Sequence, residues 1–108
     1  MTLPEEISVA ELARMRTRGD AFVLLDVRED DELATASLPG ARHVPMGEIP
    51  SRLDELERGD AYVVMCHGGV RSDHVARYLR ASGYADVANL AGGIDAWSTD
   101  VDPAVPRY

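Results

Sequence analysis

The most continuous apolar segments of the sequence are 21–27 and 61–65. A strand that is covered on both faces, as in a parallel sheet, is apolar at nearly every position, whereas a half-exposed strand alternates apolar and polar residues. These two segments therefore predict central strands of a parallel sheet. Shorter apolar segments at 41–44 and 86–90 predict two further strands.

Segments typical of helices lie before, between and after these strands. Ser8 followed by Glu11 is the sequence pattern of a capping box, and it predicts a helix that ends at Gly19. Apolar residues at helical spacing, acidic first turns and terminal glycines predict the remaining helices at 29–34, 49–59, 72–82 and from 92 onward.

The alternation of strands and helices defines the fold class. It predicts an α/β fold with a central, mostly parallel sheet and helices on both faces. A chain of 108 residues is long enough to close one hydrophobic core. Because neither a repeat nor a linker divides the sequence, we expect one domain over residues 1–108, with an irregular tail at 98–108.

Composition narrows the possible functions. The formal net charge of −8 disfavours a nucleic-acid partner, since an acidic domain repels phosphate backbones. An anionic substrate would therefore need a local positive site. All 11 basic residues are arginine, so chemistry through a lysine Schiff base is excluded.

The one cysteine, Cys66, excludes an internal disulfide and any CxxC motif. The N-terminal residues lack the basic and then apolar pattern of a signal peptide. No apolar run approaches the roughly 20 residues that cross a bilayer. We therefore expect a cytoplasmic protein that has a reduced thiol and no membrane partner.

Candidate chemistry is concentrated in the segment 66–72, CHGGVRS, which lies between a predicted strand and a predicted helix. Ligands of open α/β sheets bind beyond the carboxyl ends of the strands. Cys66 lies at such an end, and Asp26 and Arg28 lie at the end of the earlier central strand. Asp26 and Arg28 could equally form an ordinary ion pair at a strand end.

The residue types that follow Cys66 favour a reactive thiol. Gly68 and Gly69 can turn successive N–H groups inward to form an anion-binding nest, and Arg71 adds a positive charge with a planar set of donors. The start of the following helix adds a partial positive charge. Such surroundings lower the pKa of a thiol and make it a nucleophile, although a lone cysteine after an apolar strand can also be an inert core residue.

The three histidines are less informative. His67 could be catalytic or a surface loop residue, whereas His43 and His74 fit structural or solvated positions better.

Four segments together resemble the rhodanese family. The segment 66–72 is similar to that family's active-site loop, in which four variable residues separate Cys from Arg. The segments 26–29 (DVRE), 38–41 (LPGA) and 89–97 (NLAGGIDAW) are similar to three further family motifs, in the same order. The resemblance spans residues 7–97 and implies the rhodanese-like fold, with a sheet of about five strands.

The resemblance implies a thiosulfate sulfurtransferase. Cys66 would take the outer sulfur of an anionic donor such as thiosulfate and carry it as a persulfide, and Arg71 would bind the donor. An external acceptor, which is cyanide in vitro and a thiol or a sulfur-carrier protein in the cell, would receive the sulfur. No metal or organic cofactor is implied. The remaining loop residues would bind substrate or the terminal sulfur through the loop N–H groups: His67, Gly68, Gly69, Val70 and Ser72.

Two other functions stay open. Phosphatases of the same fold have a similar loop with one more residue between Cys and Arg, so the four residues here favour sulfur over phosphate. A non-catalytic binding module, or a relay dedicated to one partner, is the other alternative. One departure from the family concerns the turn before Leu38, where Ala36 and Ser37 replace its usual Gly-His. Ser37 is the candidate for the lost histidine's hydrogen bond.

Overall fold

The computed structural model describes residues 2–108, which form one five-stranded parallel sheet. Its strands are β1 (Glu6–Ile7), β2 (Val23–Asp26), β3 (Arg42–His43), β4 (Tyr62–Met65) and β5 (Val87–Leu90). The strand order is β1-β5-β4-β2-β3, and all pairs are parallel. The predicted α/β fold is therefore confirmed. The two-residue strand β1 was not predicted, because so short a strand has no periodicity to detect.

The described residues also form four α-helices: α1 (Val9–Arg18), α2 (Asp30–Thr35), α3 (Val70–Ala81) and α4 (Gly93–Asp100). Helix α1 has the predicted ends, because the Ser8 hydroxyl accepts the Glu11 N–H at 3.1 Å and Gly19 takes the left-handed conformation with φ of 72°. The carboxylate of Glu11 binds Arg14 and Arg18 instead of completing the capping box.

The helix predicted over 49–59 is wrong. Two short 3₁₀ segments, Met46–Glu48 and Pro50–Glu55, occupy this region. Pro50 has no N–H to donate to a carbonyl four residues earlier, and the N–H of Leu56 donates to the carbonyl of Leu53 three residues earlier at 3.0 Å. The spacing of the apolar residues was nevertheless informative, since Ile49 and Leu56 are buried.

Two helix boundaries also differ from the prediction. Helix α3 begins at Val70 instead of Ser72, because Gly69 is its N-cap and the N–H of Asp73 already donates to the Gly69 carbonyl. The tail predicted over 98–108 is helical up to Asp100. No helix in residues 2–108 has the length and apolar character needed to span a membrane.

Helices cover both faces of the sheet, as predicted. Successive residues of a strand point to opposite faces, so Leu24 and Leu25 of β2 belong to different core clusters. Leu24 packs in a cluster that includes Leu12 of α1 and Trp97 of α4, whereas Leu25 packs in a cluster that includes Leu79 of α3. The continuous apolar pattern of the central strands follows from this two-sided burial.

A fully buried ion pair stands at the end of β2. The guanidinium of Arg28 binds the carboxylate of Asp26, with Nη2 2.7 Å from Oδ2 and Nε 3.0 Å from Oδ1. Nη2 also donates to the carbonyl of Ala36 at 2.9 Å. Burial opposes the charge of Arg28, but the hydrogen bonds that Arg28 donates to Asp26 and Tyr108 outweigh burial and raise the pKa of the guanidinium. The guanidinium of Arg28 therefore stays charged although it is buried.

We predict that Asp26→Ala lowers the free energy of unfolding by about 3–5 kcal/mol, because it leaves the charge of Arg28 buried without a partner. Urea denaturation followed by circular dichroism measures this loss. Glu48→Ala is the matched control, since it removes an exposed pair with Arg52 and should leave the midpoint nearly unchanged. Equal midpoints for the two variants would contradict the structural importance of the buried pair.

Candidate functional site

The candidate site lies where two neighbouring strands end at the same edge of the sheet. Asp26 of β2 is in register with Met65 of β4, so the residues after each strand emerge side by side. Cys66 follows Met65 directly and is only 2% exposed. The chain then turns through residues 67–69 into helix α3.

The sulfur of Cys66 receives hydrogen bonds from the loop and from α3. The backbone N–H of Gly69 donates to Sγ at 3.0 Å, and the hydroxyl of Ser72 lies 3.2 Å from Sγ. Burial alone would raise the pKa of the Cys66 thiol. The Ser72 hydroxyl, the N–H groups of Ser72 and Gly69, and the charge of Arg71 outweigh burial and hold that pKa below its ordinary value. These contacts favour the thiolate form of Cys66.

Ser72 can serve both protonation states of the sulfur. Its hydroxyl also lies 2.6 Å from Oδ1 of Asn89, and it has one hydrogen to donate. While Cys66 is a thiol, Ser72 can donate to Asn89 and accept the S–H. When Cys66 is a thiolate, the hydroxyl hydrogen can turn towards the sulfur. Asn89 is a site residue that sequence reasoning did not identify, although it lies within a motif that the resemblance included.

The amide of Asn89 also orients the peptide that carries the Gly69 carbonyl. Its Nδ2 donates to the Gly69 carbonyl at 3.1 Å, while the N–H of Gly69 points at Sγ. Strand β5 therefore fixes the loop through one buried side chain.

The first turn of α4 holds the other end of the loop. The N–H groups of Ile94 and Asp95 donate to the carbonyls of Cys66 and His67, each at 3.0 Å. This contact requires glycine at 93, because a Cβ there would collide with both of these carbonyl oxygens. The segment 89–97, identified above as a motif, thus has a physical role in placing the cysteine.

The two glycines of the loop are not equivalent. Gly69 has φ of +108°, and a Cβ there would lie 3.2 Å from the backbone nitrogen of Gly92. Gly68 lies outside the left-handed region, and a Cβ there would meet open space. The conformational argument for a glycine nest therefore applies to Gly69 and does not apply to Gly68. Val70, which begins α3, has a side chain that is 71% exposed.

Arg71 is held by a carboxylate that the sequence analysis did not single out. Its Nη1 and Nη2 lie 2.6 and 2.8 Å from the two carboxylate oxygens of Glu32 in α2. The hydrogen bonds from Arg71 outweigh partial burial and lower the pKa of Glu32 to about 2. The spacing from Glu29 indicates that Glu32 completes the capping box of α2, but it does not indicate the contact with Arg71. Arg71 is therefore oriented before any ligand binds.

His67, which sequence reasoning could not place, stacks on Tyr108. The two ring centres are 4.1 Å apart with the planes inclined by 19°. Its Nε2 is buried, has no hydrogen-bond partner within residues 2–108 and lies 4.0 Å from Asp95. The hydroxyl of Tyr108 donates to Glu32 at 2.7 Å and accepts from Arg28 at 2.9 Å. Through this hydroxyl the buried pair of Asp26 and Arg28 is connected to the site.

The proposed substitute for the family histidine is wrong. Ser37 is exposed, whereas Nε2 of His43 lies 2.6 Å from the carbonyl oxygen of Arg28. A histidine contact beside the DVR segment is thus supplied from β3. His74 and Tyr78 of α3 line a small apolar pocket together with Met46.

Comparisons with known proteins agree with this geometry. The Rhodanese-like domain family matches residues 8–100. The chain is 38% identical over 99 residues to YtwF of Bacillus subtilis (strain 168), a protein with a provisional sulfurtransferase name; the match covers 92% of this chain and 95% of that protein. It is 35% identical over 100 residues to a protein of Allochromatium vinosum named sulfurtransferase, covering 93% and 94% of the two chains.

A solved structure, the rhodanese-like domain protein of Staphylococcus aureus, superimposes with a TM-score of 0.83 and 33% identity, covering 97% of this chain and 99% of that one. The fold and the loop define a rhodanese-like α/β protein. The chain belongs to the rhodanese-like domain family, whose members similar to it are named sulfurtransferases.

We predict that Gly69→Ala raises the pKa of the Cys66 thiol and slows its alkylation at neutral pH. The left-handed conformation would cost about 1–3 kcal/mol in a residue with a Cβ, and relief of that strain moves the N–H away from the sulfur. With a weaker bond to the thiolate, ionisation of Cys66 requires a higher pH. The pH dependence of iodoacetamide alkylation measures the change.

Gly68→Ala is the matched control for this prediction, because its new methyl group meets open space. Its alkylation curve should overlie that of the unaltered protein. Coincident curves for the two alanine variants would contradict the distinction between the glycines.

Proposed function

We propose that this protein is a sulfurtransferase that carries sulfane sulfur as a persulfide of Cys66. The observation that carries the proposal is the buried sulfur of Cys66, which lies at the end of β4 with the Gly69 N–H and Ser72 hydroxyl directed to it and with a lowered pKa. A hydrogen-bonded thiolate beside a fixed arginine suits attack on an anionic sulfur donor.

The proposed reaction has two half-reactions. In the first, the Cys66 thiolate attacks the outer sulfur of thiosulfate, the S–S bond of thiosulfate breaks, and sulfite leaves with the bonding electron pair. In the second, the acceptor attacks the terminal sulfur of the persulfide and Cys66 leaves as thiolate. With cyanide as acceptor the product is thiocyanate. Neither half-reaction requires an external oxidant or reductant, and the sequence of steps is ping-pong.

The charges at the site support binding of an anionic donor. The whole chain carries a formal charge of −8, so a donor such as thiosulfate meets an unfavourable overall field. The guanidinium of Arg71 offers a local positive charge, and its pairing with Glu32 holds it in one orientation. We assign donor binding to Arg71 and stabilisation of the terminal sulfur to the N–H groups of the loop residues 67–72.

The acceptor in this proposal is external. Because Cys66 is the one cysteine in the chain, the persulfide cannot be released through an internal disulfide. A thiol or a sulfur-carrier protein in a reducing cytoplasm fits this requirement. A relay dedicated to one such partner is the second candidate function, and the single cysteine, which makes an external acceptor necessary, is the observation that favours it.

We predict that incubation with thiosulfate makes the intact protein heavier by one sulfur atom, because the persulfide forms on Cys66. Intact mass spectrometry measures the gain, and added cyanide should reverse it and release thiocyanate. Cys66→Ser is the control and should gain no mass. A wild-type protein that neither gains mass nor forms thiocyanate would refute the enzyme, and hydrolysis of a phosphotyrosine analogue without persulfide formation would indicate a phosphatase.

Arg71→Ala should raise the KM for thiosulfate more than it slows transfer from preformed persulfide to cyanide, because Arg71 is assigned to donor binding and is only one of several groups that lower the pKa of Cys66. Steady-state kinetics and single-turnover thiocyanate release separate the two steps. Arg77→Ala removes an exposed arginine of the same helix, paired with Asp73, and serves as the control. Equal slowing of both steps in Arg71→Ala would argue against a role confined to the donor.

A further inference from the structure

Tyr108 contacts the candidate site from a segment that no motif includes. Its ring stacks on the imidazole of His67 with 4.1 Å between ring centres. Its hydroxyl donates to Oε2 of Glu32 at 2.7 Å and accepts a hydrogen bond from Nη1 of Arg28 at 2.9 Å. The Tyr108 side chain thus contacts the loop at His67 and two charged residues, Glu32 and Arg28.

These contacts place Tyr108 across the loop that carries Cys66. His67 directly follows Cys66 at the start of the loop. Glu32 binds Arg71, which follows the four residues 67–70 at the other end of the loop. The tyrosine therefore bridges the two ends of the loop. Cys66 is 2% exposed, whereas Tyr108 is 41% exposed. One part of the Tyr108 side chain is exposed to solvent, and the rest contacts residues of the site.

The segment that carries Tyr108 is attached to the fold near the site. The guanidinium of Arg107 binds the carboxylate of Asp95, with Nε 2.9 Å from Oδ1. Asp95 is also the residue whose N–H binds the His67 carbonyl. Val105 packs against the core cluster that contains Trp97. The backbone of this segment is therefore anchored, and Tyr108 can move by side-chain rotation when its hydroxyl contacts break.

We propose that Tyr108 is a specificity-determining residue that limits which reagents reach the sulfur of Cys66 by their size. Small donors and acceptors pass beside the ring, whereas a bulky acceptor reaches the sulfur only when the hydroxyl leaves Glu32 and Arg28 and the ring leaves His67. This deepens the proposed sulfur transfer, since it assigns a selection of acceptors to the same site. The restriction of access itself does not depend on persulfide formation.

Alkylation and disulfide exchange at Cys66 test the restriction without any sulfur transfer. Iodoacetamide is the small probe, and 5,5′-dithiobis(2-nitrobenzoate) is the bulky one. Tyr108→Ala should accelerate the reaction with the bulky probe by about tenfold, because the closed position no longer reduces the accessible fraction, while the small probe changes by about twofold or less. The ratio of the two rates is the measured quantity.

Two further variants separate access from other effects. Tyr108→Phe keeps the ring but loses both hydroxyl contacts, and the rate ratio should fall between those of wild type and Tyr108→Ala. Tyr78→Ala is the matched control, since Tyr78 is 40% exposed on α3 and lies at the apolar pocket with Met46. Its rate ratio should equal that of wild type.

The pH dependence distinguishes access from a change in the thiol. If Tyr108 restricts access, Tyr108→Ala raises the plateau rate of the bulky probe at high pH and leaves the pH midpoint of the rate curve unchanged. A shifted midpoint with an unchanged plateau would overturn the proposal, because Tyr108 would then act on the charge of the sulfur. Equal acceleration of both probes would also overturn it, since that result indicates general loosening of the loop.

Sulfur transfer from preformed persulfide tests whether Tyr108 also selects acceptors in the proposed reaction. From preformed persulfide, Tyr108→Ala should transfer sulfur to glutathione several-fold faster than wild type, with transfer to cyanide unchanged. If no persulfide forms in either protein, the proposed function fails while the alkylation result still decides access. If persulfide forms and the glutathione and cyanide rates change in the same proportion, the selection of acceptors by Tyr108 is refuted.

Discussion

The buried pair of Asp26 and Arg28 is the interaction on which the placement of the site depends. An arginine without solvent must use its donors inside the protein, and Arg28 distributes them among Asp26, the carbonyl of Ala36 and the hydroxyl of Tyr108. Its own carbonyl contacts His43. One residue thus connects β2 with β3, the end of α2 and the segment after α4. Those elements must take up their positions together, because each supplies a partner that the buried charge requires.

The same chain of contacts continues to Arg71, whose charge lowers the pKa of the Cys66 thiol. The Tyr108 hydroxyl leads from Arg28 to Glu32, and Glu32 holds the guanidinium of Arg71. Positively and negatively charged side chains alternate along this path, with the neutral Tyr108 hydroxyl between Arg28 and Glu32. The guanidinium of Arg71 is therefore held in one position before an anionic ligand binds. This placement matters in a chain of net charge −8, where a freely moving arginine would find many carboxylates. Glu32 is therefore a positioning residue for Arg71 and also the residue that completes the capping box of α2.

The sequence contained enough information for the fold class and for the positions of Asp26 and Cys66 at strand ends, and the reasons are specific. Two-sided burial of β2 and β4 leaves a continuous apolar pattern, and Gly19 ends α1 where a left-handed residue is needed. The helix predicted over 49–59 was wrong because apolar spacing cannot distinguish an α-helix from 3₁₀ turns when the same residues are buried in both.

The contacts within the site could not be predicted from the sequence, because they join residues that are distant along the chain. Asn89 binds Ser72 and Gly69, Glu32 binds Arg71, and Tyr108 binds Glu32. No local pattern indicates such partners, since each depends on how three or four elements meet at one edge of the sheet. His67 illustrates the same limit: its stacking partner follows the last helix, 41 positions further along the chain. Only the packing of α4 beside the loop brings the two rings together.

The lowered pKa of the Cys66 thiol results from a competition whose outcome depends on these distant contacts. Burial disfavours the thiolate, and it would do so for any cysteine that follows an apolar strand. The opposing contributions come from donors at short range, namely the Gly69 N–H and the Ser72 hydroxyl, together with the charge of Arg71. Desolvation acts wherever the sulfur is buried, whereas hydrogen bonds act only when the loop is correctly placed. An inert core cysteine and a nucleophile can therefore share one sequence context, and here the carbonyl contacts of α4 and the amide of Asn89 hold the loop in the position that lowers the pKa of the thiol.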